Sequence, residues 1–221
     1  MSFPTQQVRP FGSGFDRLLI GFGDDGHAVE MAALAQIATN LPEEIDRQQQ
    51  SWVQRQQDFN NAMGFASRPI SVPQVDPKNF YVGARPSLVS SPIEFWPSIT
   101  ARCGDARPSR AQEDHFDDFD LDLYVEIMCY SGPVARERLH MDEGISAEGD
   151  VNAQIHLLSG AVQLCVSRDR TLGGVVQTIQ NPPTIRPGMP FSAPGVDQER
   201  TGDYFIYAGR QHRYVVNRMS Y

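Results

Sequence analysis

The sequence predicts an α+β fold, with a mostly antiparallel sheet of about four to five strands, two main helices on one face and long Pro/Gly-rich arms. Three observations carry that reading. Residues 118–131 alternate, with Phe119 to Cys129 forming an apolar face and Asp118 to Tyr130 a mainly acidic one, as a strand with one buried face does. Val151, Ile155, Leu158, Val162 and Cys165 recur at steps of four, three, four and three, which is one face of a helix. Between the periodic segments lie stretches dense in Pro and Gly with no period. The expected organisation is an N-terminal arm over 1–26 and a single α+β domain over 27–221, with extended insertions at 60–92 and 182–199.

In chain order, the first 26 residues contain Gly21, Gly23 and Gly26 in the spacing G-x-G-x-x-G. A dinucleotide site needs that motif inside a βαβ unit. Asp24 and Asp25 would repel a pyrophosphate, and DRQQQSWVQRQQ stands where the second strand belongs. A turn leading into a helix is the better reading. Met31, Leu34, Ala35, Ala38, Leu41 and Ile45 then share one helical face. Pro42 should break or kink that helix. Its glutamine-rich second part is polar nearly all round, apart from Trp52 and Val53. Residues 60–92 carry five prolines and read as an extended arm.

A first core strand is expected over 93–103, and a polar flap over 104–117. In the strand 118–131, Phe119, Leu121, Leu123, Val125, Ile127 and Cys129 form the apolar face. Asp118, Asp120, Asp122 and Glu126 stand on the other face, where adjacent carboxylates repel. The run D-x-D-x-D lacks the glycine and the final glutamate of a calcium loop. Residues 132–145 read as a polar link. Ser146 is placed to cap the helix that follows, and Arg168 and Arg170 suit its C-terminal end. Gly173 and Gly174 allow the chain to leave that helix, and Val175 to Ile179 favour a strand. The chain is expected to close with a hairpin, DYFIY and RYVVNR, turned at Ala208 to Gln211.

Composition narrows the function classes. The net charge of −8 argues against general nucleic-acid binding. All but Lys78 of the 19 basic residues are arginine. Three scattered cysteines fit reduced thiols, not a disulfide framework. Neither a signal peptide nor a membrane span is read. The five histidines form no H-E-x-x-H motif or zinc spacing with cysteine, and G-x-S-x-G and the glycine-lysine phosphate loop are absent. The expectation is a protein without cofactor, metal or catalytic residues.

The order of elements, and above all the helix Val151 to Val166 running into Arg170, Thr171, Leu172, Gly173, Gly174, Val175 and Val176, resembles the tail terminator and tail-completion proteins at the head-to-tail junction of long-tailed bacteriophages. Leu41 and Pro42 in the first helix are similar too. The resemblance spans roughly 27–57 and 93–218. It implies a homo-oligomeric ring, expected to be a hexamer, that caps the tail tube and joins it to the head connector. Its partners would be other copies of itself, the tail tube protein and connector proteins, with DNA passing through the channel without specific binding. It implies a virion location after assembly in the host cytoplasm. Asp118, Asp120, Asp122 and Glu126 would then face the lumen or a neighbouring subunit. Arg170, Thr171, Leu172, Gly173 and Gly174 would form a structural helix-to-strand junction. Other neck components (an adaptor or stopper), a tube protein, a nucleotide-binding enzyme using Gly21 to Gly26, and a plain monomeric domain are the competing expectations.

Overall fold

The computed structural model describes residues 25–64, 72–83, 97–108, 118–131, 147–187, 191–194 and 204–219. Two helices, α1 (Asp25–Met63) and α2 (Ala147–Arg168), pack on a mixed seven-stranded sheet. The strands are β1 (Phe80–Val82), β2 (Ser98–Pro108), β3 (Asp118–Ser131), β4 (Thr178–Ile179), β5 (Thr184–Pro187), β6 (Phe191–Pro194) and β7 (Tyr204–Met219). The main order is β1-β2-β3-β7-β4, with β5 and β6 also on β7. Among the described strands only β1 and β2 pair in parallel.

The core is the contact between the helices and one face of the sheet. In α1, Val29, Ala33, Leu34, Ile37, Leu41 and Ile45 are buried at helical spacing. In α2 the expected stripe Val151, Ile155, Leu158, Val162 and Cys165 is buried, each side chain at most 3% exposed. Opposite them stand Ile99 and Ala101 of β2, Leu121, Leu123, Val125, Ile127 and Cys129 of β3, and Ala208, His212, Tyr214 and Val216 of β7. The β3 alternation therefore puts its apolar residues under the helices, as expected.

Several boundaries differ from the sequence reading. Helix α1 does not break at Pro42 but runs unbroken for 39 residues. Ile37, Leu41 and Ile45 are buried on either side of the proline, so packing outweighs one missing hydrogen bond. The 60–92 segment contains the end of α1, a short turn of 3-10 helix (Pro77–Asn79) and β1. First-strand pairing starts at Ser98, later than expected, and β2 continues to Pro108 into the stretch read as a flap. The 182–199 segment contributes β5 and β6 to the sheet. After α2, only Thr178 and Ile179 pair as a strand.

The terminal hairpin is overturned. Residues 204–219 are one 16-residue strand, β7, paired with β3 along its whole length from Asp118 with Met219 to Ser131 with Ile206. Gly209 is not a turn residue. It lies opposite Met128, and a Cβ there would run into the Met128 sulfur. Along the outer edge of β7, strands β4, β5 and β6 pair in succession. The arm over 1–24, the Ser146 cap and the link 132–145 lie outside the described residues, as do Gly21 and Gly23. Gly26 is the first turn of α1, where a Cβ would come within 3.2 Å of the Cys103 Cβ; its smallness lets α1 approach β2.

Candidate functional site

The face of the sheet turned away from the helices carries the acidic residues singled out in the sequence. Antiparallel pairing places Asp120 opposite Asn217, Glu126 opposite Gln211, and Tyr124 between Arg102 on one side and Arg213 on the other. Three of these carboxylates, Asp120, Asp122 and Glu126, find a partner on a neighbouring strand. Asn217 Nδ2 donates to Asp120 Oδ1 at 2.6 Å. Arg213 Nη2 donates to Asp122 Oδ2 at 2.8 Å, and Asp122 is buried. Glu126 Oε1 accepts from Gln211 Nε2 at 2.9 Å and meets Arg102 Nη2 at 3.0 Å. The Arg102 guanidinium also lies over the Tyr124 ring, 5.2 Å from its centre. The side chain of Asp118 is outside the described residues; its backbone pairs with Met219.

The expected repulsion among these carboxylates is thus relieved by diagonal and directly opposite partners. The hydrogen bond to the Asp122 carboxylate, and its charge, hold the Arg213 guanidinium above its usual pKa. The face is a polar ladder in which Asp122 and Glu126 meet arginines and Asp120 meets an amide, and not a bare acidic strip. The matching partners on β7 sit 85 to 97 residues away in sequence, which is why alternation within β3 alone does not reveal them.

The second candidate is the junction after α2. Asp169 organises it. Asp169 Oδ1 accepts from the Thr171 amide at 2.8 Å and hydroxyl at 2.6 Å, and Oδ2 accepts from the Gly173 amide at 2.8 Å. These bonds favour the ionised carboxylate and pull its pKa down. Leu172, Gly173 and Gly174 all have positive φ, at 50°, 71° and 87°. Glycine adopts that region freely, whereas Leu172 is held there with its side chain buried. Arg170 and Thr171 are exposed. The junction is a fixed turn built to anchor Leu172 and deliver the chain to β4 at the edge of β7. Asp169 is the residue that sequence reasoning passed over; an aspartate two residues before a threonine and four before a glycine was the available signal.

Two clusters tie the helices down. Gln36 of α1 donates to the carbonyls of Cys165 and Asp169 at 2.8 and 2.9 Å, capping the C-terminal end of α2. Arg168 of α2 bonds Glu43 and Glu44 of α1, with 2.7 Å from Nη2 to the buried Glu44 carboxylate, which Arg47 also meets. Beneath α2, Ser159 Oγ and His212 Nε2 are 2.7 Å apart, and His212 Nδ1 is 3.2 Å from the Tyr214 hydroxyl. All three are buried. Burial, aided by the nearby Arg210 charge, pushes the His212 pKa down to about 4. The same burial pushes the Tyr214 hydroxyl up and the Cys165 thiol up to about 12.

The serine–histidine pair is therefore packing chemistry, closed to substrate beneath α2. Half-buried Cys103 donates its thiol to the Gly26 carbonyl at 3.3 Å, a contact made by the protonated sulfur. A groove of about 380 Å³ beside α1 is lined by Asp46, Gln49, Gln50, Val53 and Gln54, residue types that offer no nucleophile and base together. Among the described residues, no three His, Cys, Asp or Glu side chains come together to hold a metal, and no helix is long and apolar enough to cross a membrane.

Comparison with known protein families and with curated proteins finds no match to this chain.

Proposed function

We propose that the chain is a structural protein of a bacteriophage head-to-tail junction, a tail terminator whose copies form a ring capping the tail tube. The observation that carries this reading is the passage from α2 through the Asp169-anchored turn, Thr171 to Gly174, to a short strand on the sheet edge. It is the passage in which the sequence resembles that family. Among the described residues both helices pack on one face of the sheet, and the other face carries the polar ladder. Asp120 and Glu126, half-buried and bonded within the chain, suit a subunit-facing surface better than a lumen lined with bare negative charge, whereas Asp122 is buried in the chain itself. The ring number, a hexamer in this reading, and the tail-tube and connector partners follow from the resemblance.

The test is the mass of the purified protein in solution, with negative-stain images of the same sample, alone and mixed with tail tubes. Rings with a central hole, or rings seated on tube ends, are the expected result. A protein that stays monomeric in both samples refutes the proposal.

A further inference from the structure

Arg210 breaks the pattern of the helix-facing row of β7. Its neighbours in that row, Ala208 and His212, are fully buried, as is Ile127 opposite it on β3. Arg210 itself is half-buried, and burial lowers its pKa. A guanidinium at such a place is expected to have an anionic partner. Four other arginines on the body have one: Arg47 and Arg168 meet Glu44, Arg102 meets Glu126, and Arg213 meets Asp122. Among the described residues Arg210 meets no carboxylate. Its side-chain partner is the His156 ring of α2, with Nη2 at 2.9 Å from the ring nitrogens. Its charge reaches two histidines, since Arg210 helps to hold both His156 and His212 neutral. His156 is exposed, so this cation opens to the surface beside α2.

We propose that Arg210, flanked by His156, receives a carboxylate side chain from a second copy of this chain. The guanidinium fork matches a carboxylate in geometry, and His156 engages Nη2 alone among its nitrogens. A second copy can supply the group, because each chain carries 27 acidic residues against 19 basic ones. A neutral imidazole beside the guanidinium adds a hydrogen-bonding group without a competing charge. The inference rests on the ring reading and names one contact that would hold the ring.

The experiment compares wild type, Arg210→Gln and Arg210→Lys by mass photometry and sedimentation over a range of sodium chloride. Circular dichroism melting checks that each variant is folded. Self-association at least tenfold weaker in Arg210→Gln is expected, with a flatter salt dependence and only partial recovery in Arg210→Lys. Rings of unchanged affinity and salt dependence in folded Arg210→Gln overturn the inference while leaving the ring reading standing. A wild type that does not associate, alone or on tail tubes, overturns both. The His156 ring signals in dilute protein separate a further source. Saturable shifts on titrating inorganic phosphate, with wild-type association unaffected by Arg210→Gln, would make this a small-anion site and overturn the second-copy assignment.

Discussion

The two faces of the sheet are held by different physics. The helix side is apolar, continuous and nearly free of water-facing atoms, so its stability scales with area buried and with how well α2 fits. The far side is a ladder of carboxylates, amides and guanidinium groups, in which the Arg102–Glu126 pair is half in water and worth little by itself, while the Asp122 carboxylate is buried against Arg213. The difference teaches where the fold is decided and where it is free to change. Burial on one side sets the architecture, whereas the matched charges on the other set which surfaces can approach it.

Substitutions should break this contrast to very different degrees. The largest effect is expected for Leu158→Ala, at the fully buried centre of the α2 stripe. Losing the side chain and leaving a cavity should cost about 2–5 kcal/mol, read as a lowered denaturant midpoint with unchanged slope. A loss under about 1 kcal/mol would mean that α2 is loosely seated.

Next is acid. The folded-state pKa of His212 is about 4, against an ordinary 6.5, so the unfolded chain takes up the proton first. Its contribution is complete above pH 6.5, falls as pH drops toward 4 and is flat below that. The span is on the order of 3 kcal/mol at most. Urea melts at stepped pH should show that decline, and His212→Gln should remove most of it. An unchanged slope in the variant would exclude His212 as its source.

Third, Gly209→Ala should destabilise by about 1–3 kcal/mol because the new methyl meets the Met128 sulfur. Pairing it with Met128→Ala should recover part of the loss, a coupling visible in a double-mutant cycle. The smallest effect belongs to Arg102→Ala on the ladder, under about 1 kcal/mol, and shrinking with salt. A loss as large as that of Leu158→Ala would show that the two faces are not as different as their chemistry suggests.

How much of this was legible in the sequence follows from how local each signal is. The β3 alternation and the α2 stripe are written in consecutive residues, so both faces could be assigned in advance. The α+β class follows from them. The misreadings come from signals that are local in form but decided at a distance. Ala208 to Gln211 look like a turn because Gly209 is there, yet the glycine answers to Met128 on the adjacent strand. Pro42 looks like a stop, yet the buried stripe of α1 continues on both sides of it. Strands β5 and β6 hide in a Pro-rich stretch because they are short and pair only with β7. In the candidate site, the carboxylates were legible and their partners were not. Arg102 and Arg213 become their neighbours only once three strands are aligned. The Ser159–His212–Tyr214 cluster joins residues of a helix and a strand for the same reason.

The continuity of β7 has a consequence for synthesis. Four strands, β3, β4, β5 and β6, have it as their hydrogen-bonding neighbour, and all four precede it in the chain. When β3 leaves the ribosome, β7 lies about seventy residues further on, several seconds away at roughly 5–20 residues per second. Through that interval one edge of the 14-residue strand β3 waits unpaired, and nascent chains are most open to mispairing with one another. The chain is thus expected to complete its sheet late and in one step, and a translating polysome is where a chaperone would find it.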